Sequence, residues 1–503
     1  MSRESAREIR ELRATIRHWR RGRVDTRFVD AFNDAYVAVF ATLMLGAMAV
    51  NVVINLRAVG RGGCTSGLCV QARTTLPWLL VIGVAAACLG VARLFGPMLV
   101  TPAVGTWLLP APVDRAALLR PRLVATCGAA LLAGALLALA SSALASFAVG
   151  AVVAFSVVVA AGCALLVAVA VVDQARGLGV TGALTWLVAA VSWAGLVALS
   201  AGRAPDLQAA TAYGPGWPAA AGVAGVLMMG AAALAARSLP LLSADRLKPG
   251  GSLVPSLSGA LATVDLALIY DIMVARRWLA RSTVRSVRAR RRGPTGGAAL
   301  VWRDLIRVRR APQRLVVLAA SLVVPYLGAA AGLGRVLVLA ASVTGFVAGL
   351  GLCSAVRVVS RNPGLARCLP MPTWQTRGSC LVVPGALLLA WGLGTAPAFH
   401  ATLPALPGGD WPLAVDLGIA TGFAALVAIT RWLTAAPPDY QKPLLSSPTG
   451  AVPTSLFGAL GRGLDVLLLL TAPILLSPTP TGAVVSIGIG VIVLGVLLNR
   501  ERS

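Results

Sequence analysis

Twelve stretches of mostly apolar residues, most close to membrane-spanning length, divide this sequence, and no other feature limits its folding so severely. A helix needs roughly 20 such residues to cross the hydrocarbon core of a bilayer. The first six are Ala35–Leu56, Leu76–Leu94, Leu123–Ser142, Val149–Val172, Val180–Ala201 and Trp217–Ala236. The second six are Leu315–Leu333, Val336–Val356, Leu381–Phe399, Pro412–Ile429, Leu464–Leu476 and Ala483–Leu498. Only 12% of the 503 residues are charged, about half the share of a soluble globular chain. A net charge of +26 is the electrostatic footprint of a nucleic-acid binder. A mean hydropathy of +0.82 argues against a soluble body, and 5% aromatics make no evident base-stacking platform. The expectation is an all-α polytopic membrane protein with about 12 transmembrane helices and no nucleic-acid partner.

The eleventh span is the weakest, because extending it toward Ser455 takes in Arg462 and Asp465. Those two stand one turn apart and either pair on one helix face or cap the inner end of a shorter span, the preferred reading. Pro325 and Pro473 interrupt other spans, which packed neighbours can tolerate. Asp416, near the outer end of the tenth span, is read as reaching water.

Residues 1–34 hold nine arginines and six acids and show no cleavable signal peptide. Glu4, Arg7, Glu8, Glu11 and Arg13 fall at helical spacing, and Ile9, Leu12, Ile16 and Trp19 make one apolar stripe. This is read as an amphipathic helix at the membrane interface, its arginines (Arg13, Arg17, Arg20 and Arg21) toward anionic lipid; the alternative is a solvated charged tail. With the N terminus inside and twelve spans, the outer loops carry five Lys+Arg (Arg57, Arg61, Arg73, Arg203 and Arg335) and the remaining 39 lie on the inner side. Lys/Arg enrichment marks the cytoplasmic side, so a multi-pass protein of the cell membrane with both termini cytoplasmic is expected.

The order of motifs repeats. Leu109-Pro110-Ala111-Pro112 follows the second span and Leu369-Pro370-Met371-Pro372 the eighth, 260 residues on. The same offset carries the sixth span roughly onto the twelfth. Arg17, Arg20 and Arg21 have an echo in Arg307, Arg309 and Arg310, with Arg303 one turn earlier. The expected organisation is therefore two parallel six-helix halves, 35–236 and 315–498, each preceded by an amphipathic interfacial helix. Residues 237–314 form a basic cytoplasmic linker and 499–503 a short tail. An even number of spans per half gives both the same orientation. In the linker, the apolar stretch Leu257–Tyr270 is read as surface-lying. The run from Arg285 to Arg292 is read as meeting anionic headgroups in preference to nucleic acid.

Candidate chemistry is sparse. The two histidines, His18 and His400, form no metal cluster, and no Gly-x-x-x-x-Gly-Lys-Ser/Thr phosphate loop is present. No enzyme activity and no cofactor on this chain are expected. Cys64 and Cys69 flank four residues in the first outer loop, where a disulfide is favoured over two free thiols; the other six cysteines read as small apolar residues. After Pro112 a short mixed-charge helix is expected: Asp114 and Arg115 open it, and Leu118 and Leu119 give it an apolar edge. It is either a docking element for a soluble partner or a helix resting on the membrane.

With its arginine-rich helix before the first span and the loop from Trp107 to Leu119, the chain resembles ABC exporter permeases with six helices per half, in a fused form with the Ala-, Val- and Arg-rich character of actinobacterial examples. The resemblance implies the translocation domain of an ATP-driven exporter working by alternating access. Two copies of a separate cytoplasmic ATPase would bind ATP and Mg. The coupling loops would use Pro110, Pro112, Asp114, Arg115, Leu118 and Leu119 in the first half and Pro370, Pro372, Trp374 and Arg377 in the second. Thr373-Trp374-Gln375 replaces Val113-Asp114-Arg115, so unequal ATPase contacts are expected. A poorly charged interior points to a hydrophobic or lipid-like substrate. The alternatives are a twelve-helix ion-coupled carrier, which the scarcity of buried carboxylates disfavours, and a non-transporting membrane scaffold.

Overall fold

A computed structural model describes residues 67–100, 104–109, 114–145, 147–205, 211–243, 293–330, 333–402, 411–435, 444–447, 450–453 and 461–499, with a few single positions besides. The first span Ala35–Leu56, almost all of the N-terminal helix with Arg13, Arg17, Arg20 and Arg21, the stretch Leu257–Tyr270, the run Arg285–Arg292, Pro110, Pro112 and Cys64 lie outside the described residues.

The chain divides into two compact units, separated near Thr283. The first contains α1 (Gly67–Phe95), α2 (Arg115–Leu144), α3 (Val149–Arg176), α4 (Val180–Ser200) and α5 (Gly216–Ser238). The second contains α6 (Gly297–Arg310), α7 (Gln313–Ser321), α8 (Val323–Ala330), α9 (Val336–Gly349), α10 (Ser354–Arg361) and α11 (Pro363–Arg367). It continues with α12 (Thr373–Thr402), α13 (Trp411–Thr434), α14 (Leu464–Leu476) and α15 (Pro480–Asn499). A short hairpin, Leu444–Ser447 against Gly450–Pro453, departs from the helical pattern.

Among the described residues nine helices are long and apolar enough to cross a membrane, and a tenth if the bent pair α9–α10 is one span. Apolar side chains such as Leu132, Leu136, Val226 and Ile492 lie exposed along these helices, which is the surface a bilayer requires. The protein is a multi-pass membrane protein. The eleventh stretch is indeed short: α14 begins at Leu464, and Asp465 in its first turn accepts bonds from the Gly463 and Val466 amides at 2.7 and 2.8 Å. Asp465 pairs with Arg431 at 3.5 Å.

Three span pairings recur in the two units, although α9 lies more on α13 than the matching α1 lies on α3. In the first, α2 lies on α3, α3 on α5 and α1 on α4; in the second, α12 lies on α13, α13 on α15 and α9 on α14. Among the described spans, α13 is buried over the largest share of its length. It reaches that position through glycine. A Cβ on Gly392 would stand 2.3 Å from the Gly418 carbonyl oxygen, and one on Gly422 would stand 2.5 Å from that of Leu388. Lipid supplies little hydrophobic force between helices, so close backbone approach at small residues supplies the contact instead. Gly418 and Gly422 are the two ends of a Gly-x-x-x-Gly motif.

In the first unit, an aromatic cluster of Trp78, Phe147, Phe155 and Trp217 fills one level of the bundle. At another level the connection after α1 folds back onto the helices: Met98, Val100 and Leu109 are buried against Leu118, Leu119 and Leu123. The Met98 amide donates to Gln174 Oε1 on α3 at 3.1 Å.

Candidate functional site

In the second unit the arginines gather around a break in a span. Val336–Val356 is expected as one continuous helix, but α9 stops at Gly349 and α10 starts at Ser354, with a bend of 67° between them. Gly349 ends α9 and Gly351 lies within the break, and glycine weakens a helix interior. Gly349 has a second constraint: a Cβ there would lie 2.7 Å from Ile429 Cδ1. A break in a helix leaves backbone groups without intrahelical partners, and arginines from α6 and α7 reach the segment where it occurs. Arg307 Nη2 donates to the Leu352 carbonyl at 3.0 Å, and Arg314 Nη1 donates to Ser354 Oγ at 3.0 Å.

Arg307 is itself ion-paired with Asp304, one turn earlier on α6. Asp304 is 1% exposed, and burial pushes its carboxyl above the ordinary carboxylate value of 3.8 against the opposing pull of Arg307, Arg314 and Arg303. On the far side of the break, Arg357 of α10 lies over the Trp432 ring of α13 at 5.5 Å, a cation–π contact. The helix α6, the bend and α13 are thus connected by charge.

A raised folded-state pKa means the native protein keeps a proton that the unfolded chain has already released. Stability from that proton is present below the unfolded value and is lost as pH rises through the folded one. Replacing Asp304 with Asn removes this dependence. Thermal unfolding in detergent is expected to show wild type losing stability relative to Asp304→Asn as pH climbs from 3.8 toward neutrality; parallel curves would refute it.

The opposite face of α6 presents Trp302, Arg303, Leu305, Arg309 and Arg310, all exposed. Apolar and cationic side chains on one exposed face can rest against a membrane interface. Beyond the bend, α11 exposes Leu365 and Arg367, and Pro370, Pro372 and Trp374 are exposed before and at the start of α12. In the first unit the corresponding connection contains a π-helical turn, Val104–Leu108, in which Trp107 is 80% exposed.

Several expected roles require correction. No separate short helix follows Pro112: α2 runs unbroken from Arg115 into the third span. Asp114 is its cap, accepting from the Ala116 and Ala117 amides at 2.9 and 3.4 Å, and Arg115 is half-buried. Leu118 and Leu119 form no apolar docking edge; they are 8% and 0% exposed beneath Met98, Val100 and Leu109. Arg377 is not a loop contact either. It is buried and donates to the Leu497 and Leu498 carbonyls at the end of α15, at 3.1 and 3.3 Å. Arg307 turns inward to the bend, whereas Arg303, Arg309 and Arg310 are exposed. Cys69 lies in the first turn of α1; its expected partner Cys64 is outside the described residues.

Among the described residues no three His, Cys, Asp or Glu side chains stand together as a metal-holding group. The arrangement is one of surfaces and a charged joint. The pattern of a family of unknown function, DUF6297, matches residues 69–443. The chain belongs to the DUF6297 family. The DUF6297 match takes in the joint, both Leu-Pro-x-Pro connections and the α12–α13 crossing. No curated protein matches the chain.

Sequence reasoning singled out Arg307 but missed its partners, Asp304 and the break. The signal available was Gly349-Leu350-Gly351 near the end of a span, followed by arginine at Arg357 and Arg361. Glycines so placed, followed by charge, mark a helix that ends early.

Proposed function

We propose that the chain is the membrane-embedded permease subunit of an ATP-driven ABC exporter, with twelve spans in two parallel six-helix halves. Both termini are cytoplasmic in this reading, and a separate ATPase, two copies per permease, binds ATP and Mg. The observation that carries it is the recurrent packing scheme. Spans three and four, four and six, and two and five pair in the first unit, as do nine and ten, ten and twelve, and eight and eleven in the second. Three of the five paired helix starts agree: Arg115 to Thr373, Val149 to Trp411 and Gly216 to Pro480 are each within four residues of the offset between the Leu-Pro-x-Pro motifs, whereas Gly67 to Val336 and Val180 to Leu464 are farther apart. Comparable connections therefore precede α2 and α12, and each region exposes a tryptophan, Trp107 within the first connection and Trp374 in the first turn of α12.

In this reading the ATPase contact is a pair of exposed surfaces. It rests on Trp107 in one unit and on Leu365, Arg367 and Trp374 in the other, with the buried Leu118, Leu119 and Arg377 holding those surfaces in place. Arg303, Arg309 and Arg310 on α6 meet anionic headgroups, with Trp302 and Leu305 at the acyl boundary. The substrate class is hydrophobic or lipid-like.

The full chain, tagged and extracted in mild detergent from its own cells, is expected to recover a phosphate-loop ATPase. Trp107→Asp with Leu365→Asp is expected to lower that recovery roughly thirtyfold, the loss of one interface hot spot of about 2 kcal/mol, while the melting temperature stays put. Recovery of folded protein without an ATPase, and efflux that follows the proton gradient while ATP is held high, would overturn the proposal.

A further inference from the structure

The helices α1, α2 and α3 of the first unit enclose a cavity of about 160 Å³. Val84, Cys88, Ala133, Gly134, Cys163 and Ala170 are among its lining residues, and apart from the two thiols no lining side chain can hydrogen-bond. Its origin is local. A Cβ on Gly134 would stand 3.0 Å from Ala160 Cα and 3.0 Å from Cys163 Sγ, so α2 and α3 touch there. Beside that contact, alanines leave space that no larger side chain fills. Water has no reason to occupy it, because a buried water needs two to four polar partners, and an apolar cavity of about 150 Å³ stays dry yet accepts benzene.

The mouth of the cavity says what does occupy it. Val84, Cys88 and Ala133 are exposed at the rim, and they belong to the spans Thr74–Arg93 and Arg115–Ser142. The opening is therefore continuous with the surface that meets hydrocarbon. We infer that this cavity is an acyl-chain site, into which the tail of a membrane lipid inserts from the bilayer. A benzene-sized space admits about six carbons of such a tail. The site requires only that α1, α2 and α3 lie in a bilayer; it stands whether or not an ATPase drives the protein.

The test uses the full chain in vesicles of phosphatidylcholine and phosphatidylglycerol doped with a phosphatidylcholine bearing a diazirine at one acyl terminus. After illumination, adducts mapped by peptide mass spectrometry are expected to concentrate at Val84–Leu89 and Ala130–Leu137, above the level at Val226 and Ile492, which are exposed on other spans. Ala133→Phe, or the milder Ala133→Leu should the first fail to fold, is expected to reduce the cavity adducts to that surface level. Adducts at Val226 and Ile492 should not change. Adducts spread evenly over exposed spans in the wild type, or cavity adducts indifferent to the filling variants, would overturn the inference. So would absence of adducts at the cavity, which would assign it to a segment of the chain itself.

Discussion

Gly422→Leu is expected to leave little folded protein. A leucine there must place its Cβ 2.5 Å from the Leu388 carbonyl oxygen. The obstacle is backbone, so no rotamer change relieves it. Overpacking of ordinary cores costs about 1–3 kcal/mol and occasionally more; this site lies at the upper end, because separating α12 from α13 also opens the contacts of the most buried span. The measurement is the melting temperature in detergent beside Gly488→Leu on α15, where an added Cβ meets nothing within 4 Å. Equal melting temperatures for the two variants would remove the crossing from its role as the centre of the second unit.

The second large effect is at Arg307. Arg307→Ala leaves Asp304 buried at 1% exposure without its ion-pair partner and removes the donor to the Leu352 carbonyl. Breaking a buried pair from one side costs about 3–5 kcal/mol, whereas replacing both members with apolar residues is close to neutral. Arg307→Leu with Asp304→Leu is therefore expected to recover much of the loss, short of the Leu352 bond. Arg307→Lys is expected to fall between the two, because one nitrogen, Nη2, meets both Asp304 and the Leu352 carbonyl, and an ammonium has donors for both but sits on a shorter stem. Unfolding curves for the three variants decide it. If the double variant is no more stable than Arg307→Ala, the pair is not what holds the bend.

Much of the architecture was legible because a bilayer permits few solutions. The stretches Leu123–Ser142, Val149–Val172, Val180–Ala201 and Trp217–Ala236 lie within or nearly coincide with observed helices, and even the brevity of the eleventh stretch was readable from Arg462 and Asp465. The candidate site was less legible. Leu118 and Leu119 read as an exposed edge because the flanking charges Asp114, Arg115, Arg120 and Arg122 resemble those of a surface helix. They are buried because the connection through Met98, Val100 and Leu109, some ten or more residues earlier in the chain, folds over them. Arg377 looked like a loop cation for the same reason: its partners, the Leu497 and Leu498 carbonyls, lie more than a hundred residues away.

By itself, the sequence determined that this chain crosses a membrane many times and where its cations collect. Those properties follow from the cost of placing polar groups in hydrocarbon, which is counted segment by segment. Only the tertiary structure decided which of those cations face outward and which are turned inward to cap a carbonyl or hold a bend. It also decided that a pair of glycines sets the centre of the second unit, and that a gap between α1, α2 and α3 opens toward the bilayer. Such choices depend on what stands within a few ångströms in space, and a pattern along the chain carries no record of those neighbours.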